Sequence, residues 1–341
     1  MADINDILGN DRIKEHFITA VRHKKISHAY IMEGDKGSGK KLLAAAFAKI
    51  LQCERREDSS GRIEACGKCE SCIQMENKVH PDVVWVSHEK PNVISVGEIR
   101  EQIVNTVEIM PYKGPYKIYI IDEAEKMNMA AQNAILKTIE EPPEYAVIFL
   151  LTTNRGAFLD TILSRCILLG TRPVSIRAVE SYLIDKCQVT KEEAEFAAGF
   201  SLGNIGKAEA IVSSEEFRDL KDLALSVLRY IHEIESYEIA DKVKEYKKYK
   251  NRIDDFFDIF LMWFRDILLL KADYSVNTEA ARKKIIFRNE YSYLKKQMEK
   301  LDLESIDYII KRIDRARIRI KSNVNFDAAL ELLLVETRRE F

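Results

Sequence analysis

The sequence predicts an α/β fold: a parallel-sheet domain built around a P-loop and carrying an inserted cysteine site, then a small helical domain, then an all-α domain. Three observations predict it. Short apolar, β-branched runs alternate with helical stretches; a glycine-rich turn sits between one such run and a helix; and beyond Gly170-Thr-Arg-Pro173 the strand signals stop. Runs that are apolar throughout suit strands buried on both faces of a parallel sheet.

In chain order, residues 11–26 read as a basic amphipathic helix, and Ala29-Tyr-Ile-Met32 as a strand. After the glycine-rich turn comes a helical stretch over 40–52. Asp82-Val-Val-Trp-Val86, Lys117-Ile-Tyr-Ile-Ile121 and Ala146-Val-Ile-Phe-Leu-Leu151 are the further strands, with helical composition between them. Helices on both faces of the sheet are the simplest packing. The predicted domains are 1–169 with the insert at about 53–72, then 170–212, then 213–341. The second has a glycine-containing break over 199–206; the third is almost free of Gly and Pro. In that third domain Phe256, Phe260, Trp263, Ile267 and Leu270 recur at helical spacing, which places one face in a core.

A length of 341 residues exceeds one typical core and suggests two or three domains. With 46% hydrophobic and 32% charged residues the composition is that of a globular chain, which argues against disorder. The most apolar helix candidate, over 256–270, is interrupted by Asp258, Arg265 and Asp266, so it reads as buried rather than membrane-spanning. The N-terminus has no basic region followed by an apolar run, so a cytoplasmic location is expected. A net charge of −2 excludes long-range attraction of the whole chain to a polyanion, and any nucleic-acid contact must be local or shared with partners.

The turn Gly34-Asp-Lys-Gly-Ser-Gly39-Lys40 fits G-x-x-x-x-G-K. In that spacing Gly34, Gly37 and Gly39 let backbone N–H groups converge on phosphates, and Lys40 reaches the outer phosphate oxygens. The next position should offer a hydroxyl to Mg²⁺, and here it is Lys41. A charged lysine has no lone pair and puts a cation where the metal would sit, so metal-assisted hydrolysis should be impaired. The loop then survives as a fold element, with ATP or ADP bound weakly, without turnover, or not at all. The strand 117–121 runs into Asp122-Glu123, at the sheet edge where Mg²⁺ and an attacking water are handled in such folds. Asp122 would help hold the metal and Glu123 would polarise water. Acidic pairs after a strand also serve simply as helix N-terminal residues.

Four of the six cysteines follow the pattern Cys53-x12-Cys66-x2-Cys69-x2-Cys72. In a reducing compartment this spacing argues for metal, and four thiolates satisfy tetrahedral Zn²⁺ in a closed, structural shell. An iron–sulfur cluster or unligated thiols are the alternatives; the ferredoxin run would need a further cysteine before a proline. Cys166 and Cys187 stand alone and read as small buried hydrophobes. The six histidines lack ligand spacing.

Beyond these separate signals, Ser27-His-Ala-Tyr30, the P-loop, Asp122-Glu-Ala-Glu-Lys-Met127, Asn133-Ala-Ile-Leu-Lys-Thr-Ile-Glu-Glu-Pro-Pro143, Thr152-Thr-Asn154 and Ser164-Arg-Cys166 together resemble the clamp-loader AAA+ family of bacterial DNA polymerase III. The resemblance covers the first domain, zinc insert included. It implies a lid for the second domain and a collar for the third. It also implies a hetero-pentamer with gamma/tau-type and delta-type subunits, acting on a sliding clamp and primer–template DNA. It adds Asn154 to the nucleotide-site residues and makes Arg165 an arginine finger reaching a neighbour's site. Two departures, Lys41 and a glycine in Gly203-Asn-Ile-Gly206-Lys207 where motor subunits carry a γ-phosphate-sensing arginine, imply a stator whose own site is silent; Lys207 could substitute for that arginine. The competing readings are a gamma-type motor with its own ATPase and a stand-alone zinc protein binding nucleic acid. The insert lacks the basic and aromatic residues the last would need, and Arg282-Lys-Lys284 and Lys295-Lys296 read as a solvated face.

Overall fold

The computed structural model describes residues 3–56, 62–272, 282, 284–322 and 324–341. Most of the polar tract 54–62, and Lys283 of the basic run, lie outside the described residues. The chain separates into two compact units, Met1–Ala178 with Gly203–Lys207, and Val179–Leu202 with Ala208–Phe341.

The first unit is a five-stranded sheet of β1 (Ala29–Glu33), β2 (Val83–Val86), β3 (Lys117–Ile121), β4 (Ala146–Thr152) and β5 (Ile167–Gly170) in the order β2-β3-β4-β1-β5. Every pairing is parallel, so all strands end at one edge. Every residue of β3 and β4 is buried, as their unbroken apolar runs require. Successive residues still alternate between faces: Ile118, Ile120, Val147 and Phe149 enter one core cluster, Tyr119, Ile121, Ile148 and Leu150 the other. On the first face α1 (Asp11–Arg22) and α2 (Lys40–Gln52) pack by aromatic contact. The rings of Phe17 and Phe47 stack at 4.0 Å, and those of Tyr30 and Phe149 at 5.2 Å. The insert helix α3 (Glu70–Glu76) borders this face; α4 (Val96–Ile99), running into a π-turn over Arg100–Val104, and α5 (Met129–Glu140) cover the other. The short α6 (Asp160–Leu163) precedes β5.

One buried carboxylate holds the connection into β3. Asp82 accepts the N–H groups of Tyr112 (2.6 Å), Lys113 (2.8 Å) and Gly114 (2.8 Å). Burial pushes this carboxyl up, but the three N–H donors, with the His80 imidazole behind them, draw it below its ordinary value. A folded value below the unfolded one of about 3.9 means the contribution is complete above that pH and is lost as pH falls through the folded value. Asp82→Asn is therefore expected to cost about 1.5–3 kcal/mol at neutral pH. Thermal melts at pH 7 and pH 3 should show a smaller acid destabilisation in the variant than in the parent.

The second unit is helical: most of α7 (Ile176–Cys187), α8 (Lys191–Phe200), most of α9 (Ile205–Ser213), α10 (Glu215–Tyr230), α11 (Ser236–Tyr246), α12 (Ile253–Ala272), α13 (Tyr291–Lys300), α14 (Leu303–Lys321) and α15 (Phe326–Arg339). The predicted stripe Phe256, Phe260, Trp263, Ile267 and Leu270 is buried, and Trp263 donates to Gln297 Oε1 at 2.8 Å. Ahead of α13, Arg282 and Lys284 are still helical, but the chain leaves the helix over residues 285–287 before α13 begins at Tyr291. Asp266, fully buried on α12, accepts the N–H groups of Ile286 (2.7 Å) and Phe287 (2.9 Å) and takes Arg265 Nη1 at 3.0 Å, which fixes that stretch outside a helix. Burial pushes its carboxyl up to about 6 despite these donors. No helix of the described residues is long and apolar enough to cross a membrane.

Candidate functional site

The parallel register brings the ends of β1, β3, β4 and β5 to one edge, and the turn after β1 leads straight into α2. Gly37 and Gly39 have φ of 87° and 89°, in the left-handed region that glycine adopts without strain. The buried Lys40 folds back: its Nζ donates to the carbonyls of Gly34 (2.5 Å) and Asp35 (2.8 Å). Burial pushes its ammonium down, against the pull of Glu125, Asp122 and Asp35. Lys41 Nζ lies 2.6 Å from Asp122 Oδ2. Glu123, with φ of 49°, pairs with Lys126 at 2.5 Å, and that hydrogen bond is the main reason its carboxyl lies below its ordinary value. Each charged P-loop or carboxylate residue predicted at this edge already has a partner within the chain.

The segment Gly203–Lys207 belongs to the same unit and lies on the loop. Asn204 Nδ2 donates to Lys36 O at 2.8 Å, and Gly206 N to Gly37 O at 3.1 Å. A Cβ at Gly206 would come within 2.7 Å of Gly37 Cα and O, so backbone stands where the sensing arginine of motor subunits was expected. The amide of Lys207 is taken by Asn204 Oδ1 at 3.0 Å. Asn154 is committed to its own turn: Oδ1 accepts Gly156 N at 2.9 Å. Glu125, which sequence reading passed over, accepts Thr153 Oγ1 at 2.7 Å. Thr171, after β5, meets Ser38 Oγ at 3.0 Å and lines a cavity of about 810 Å³ between residues 8–13 and 168–178.

Arg165, just past α6, has no contact with the phosphate loop. Its Nη1 donates to Thr161 O (3.0 Å) and Ser164 Oγ (3.1 Å), and Nη2 lies 3.1 Å from Glu140 Oε1. Its side chain is 40% exposed, so it is available to another molecule. The Glu140 partner carried no signal in the sequence.

The four predicted thiols do converge: the Sγ atoms of Cys53, Cys66, Cys69 and Cys72 all lie within 4.8 Å of one another, the one such group among the described residues. Tetrahedral zinc with Zn–S near 2.3 Å needs sulfurs about 3.8 Å apart, and Cys66 Sγ to Cys72 Sγ is 4.0 Å. Backbone N–H groups already point at the sulfurs, from Cys66 to Cys53 (3.2 Å), Cys69 to Cys66 (3.4 Å) and Cys72 to Cys69 (3.4 Å). Such donors stabilise thiolates. At Cys66 burial pushes the thiol up, but the N–H groups of Lys68 and Cys69 and its thiol neighbours outweigh it and bring it to about 6. Gly67, at φ of 67°, makes the turn between Cys66 and Cys69. These residues fit a four-thiolate metal such as zinc. Cys166 and Cys187 are half-buried rather than fully buried as expected; burial raises the Cys166 thiol to about 12.

A family model described as DNA polymerase III, delta subunit, matches residues 9–175. The DNA polymerase III subunit delta' of Bacillus subtilis (strain 168) is 26% identical over 328 residues, covering 95% of this chain and 94% of that protein. Subunit tau of the same organism is 33% identical over 209 residues, 60% of this chain but 36% of that protein. A solved structure of a DNA polymerase III gamma subunit-related protein from Thermotoga maritima aligns over 95% of this chain and 99% of that one, at 18% identity and a TM-score of 0.43. With the P-loop sheet, the four-cysteine insert, the family model and the two Bacillus subtilis proteins in view, the chain belongs with the clamp-loader subunits of DNA polymerase III.

Proposed function

We propose that this chain is a delta-prime-type stator: a clamp-loader subunit that hydrolyses no ATP itself and contributes Arg165 to the site of a neighbouring ATPase subunit. The observation that carries this is the ion pair of Lys41 with Asp122 at 2.6 Å. Mg²⁺ in a P-loop site needs a carboxylate and a hydroxyl; here an ammonium replaces the hydroxyl and neutralises the carboxylate. The same logic extends outward. Lys40 is spent on loop carbonyls, Glu123 on Lys126, and the Gly203–Lys207 segment hydrogen-bonds the loop from above. ATP or ADP would find the cavity beside Thr171 open and the phosphate cradle filled, with no ready place for Mg²⁺.

Arg165 suits the opposite role. A guanidinium is permanently charged, and its planar fork matches the oxygens of a transferring phosphoryl group. In the assembly we infer, gamma/tau-type and delta-type subunits complete a hetero-pentamer in the cytoplasmic replisome. It loads a sliding clamp onto primer–template DNA. Residues 170–212 serve as the lid and 213–341 as the collar joining the subunits. Zinc, when bound, closes a four-thiolate shell that staples the insert and leaves no position for a reacting water.

The identity of 33% to subunit tau, above the 26% to delta', favours a second reading, a gamma-type motor. ATP hydrolysis by the purified chain separates the two. The stator gives no turnover above background, whereas turnover abolished by Lys40→Ala would establish the motor.

A further inference from the structure

We propose that Glu140 is a positioning residue for Arg165, an inference that rests on the reading of Arg165 as a finger acting in trans. Three acceptors surround the guanidinium. Two of them, Thr161 O and Ser164 Oγ, take Nη1, and Glu140 Oε1 takes Nη2. The first two sit next to Arg165 in sequence and travel with it. Glu140 comes from the end of α5, so it ties the guanidinium to a second element and fixes the plane of the fork.

The fork has five N–H donors. Both on Nη1 are engaged within the chain and Nη2 faces Glu140 across a 3.1 Å ion pair, which leaves the Nε–H and the Nη2–H turned from Glu140 for an incoming anion. That remaining pair is suited to two oxygens of one phosphoryl group.

The energetics point away from a stabilising role for Glu140. It is the last residue of α5, where the negative end of the helix dipole disfavours a carboxylate. The side chains of the pair are 40% and 42% exposed, and ion pairs so placed add little to stability. A carboxylate that neither its helix nor the core needs is placed to orient the cation it touches. When the neighbour's triphosphate arrives, the phosphoryl oxygens take the free edge while Glu140 keeps the opposite one.

The test uses the reconstituted clamp loader with sliding clamp and primed DNA, measuring kcat and KM for ATP with Glu140→Ala, Glu140→Asp, Arg165→Ala and the Glu140→Ala/Arg165→Ala double variant. Misplacing a catalytic group by about 1 Å can cost up to about 100-fold, so Glu140→Ala is expected to lower kcat at the one site this chain serves roughly 3- to 30-fold, with KM and melting temperature unchanged. Glu140→Asp should recover part of the rate, and the double variant should match Arg165→Ala alone. If Arg165→Ala lowers kcat but Glu140→Ala leaves it unchanged or raises it, the positioning role is overturned and the finger stands. A Glu140→Ala loss that repeats in the Arg165→Ala background also overturns it, by marking a structural effect. If Arg165→Ala itself changes nothing, the finger reading falls, and this inference with it.

Discussion

Arg165→Ala is expected to leave the clamp loader assembled and to abolish most hydrolysis at the one site this chain serves. Arginine fingers contribute on the order of 10³–10⁵ in kcat. The other motor sites of the assembly keep their own fingers, so steady-state turnover falls by less than that factor. A single-turnover measurement resolving the sites should find one slow phase that the parent complex lacks. Arg165→Lys should recover little, because an ammonium is a point charge without the planar fork. Folding should be almost untouched: the pair with Glu140 is exposed, and such pairs are worth about 0–1 kcal/mol. A parent-like rate at every site would contradict the assignment.

Removing the metal is the second large effect. Structural zinc is worth about 10–16 kcal/mol in isolated zinc-binding peptides, and only part of that should appear here. Cys53, Cys69 and Cys72 also belong to the core cluster with Ile63, Ala65 and Met75, which holds the insert after the metal has gone. Lys49, paired with Glu76 at 2.8 Å, ties α2 to α3 independently of any metal. Chelation, or Cys69→Ser, is therefore expected to release the metal and to raise amide exchange across residues 62–76. Exchange in β3 and β4 should stay slow, because every residue of those strands is buried. Unfolding of the whole sheet on chelation, or a purified chain containing no metal, would contradict this picture.

How far the sequence carries depends on where the determining contacts lie. β3 and β4 were readable because burial on both faces demands continuous apolar runs, and α2 because the glycine turn and the helical composition adjoin. β5 was missed: Ile167-Leu-Leu-Gly170 is an edge strand, paired only with β1, and Leu168 is exposed. The basic segment from Arg282 to Lys296 is not one continuous helix because Asp266, 20 residues upstream of Ile286, claims the N–H groups of Ile286 and Phe287, and nothing local announces that. The site divides the same way. The cysteine cluster and the P-loop are spacing patterns and were legible. The filling of the P-loop is not, because it depends on Asn204 and Gly206, which lie 168 and 169 residues along the chain from their loop partners Lys36 and Gly37. Lys41 showed that the site is altered; the structure adds that Asp122 is its partner. Arg165 stands out by its motif, while nothing in the Asn133 to Pro143 stretch marks Glu140 as its partner.

The proposed stator depends most directly on an empty nucleotide site in this chain. Equilibrium titration of the purified chain with Mg·ATP and Mg·ADP, followed by calorimetry, measures that. The closed loop predicts no saturable binding up to millimolar nucleotide for either ligand. Saturable Mg²⁺-dependent binding that disappears in Lys40→Ala would contradict the account, because it would require Lys40 and Asp122 to leave their present partners for phosphate and metal.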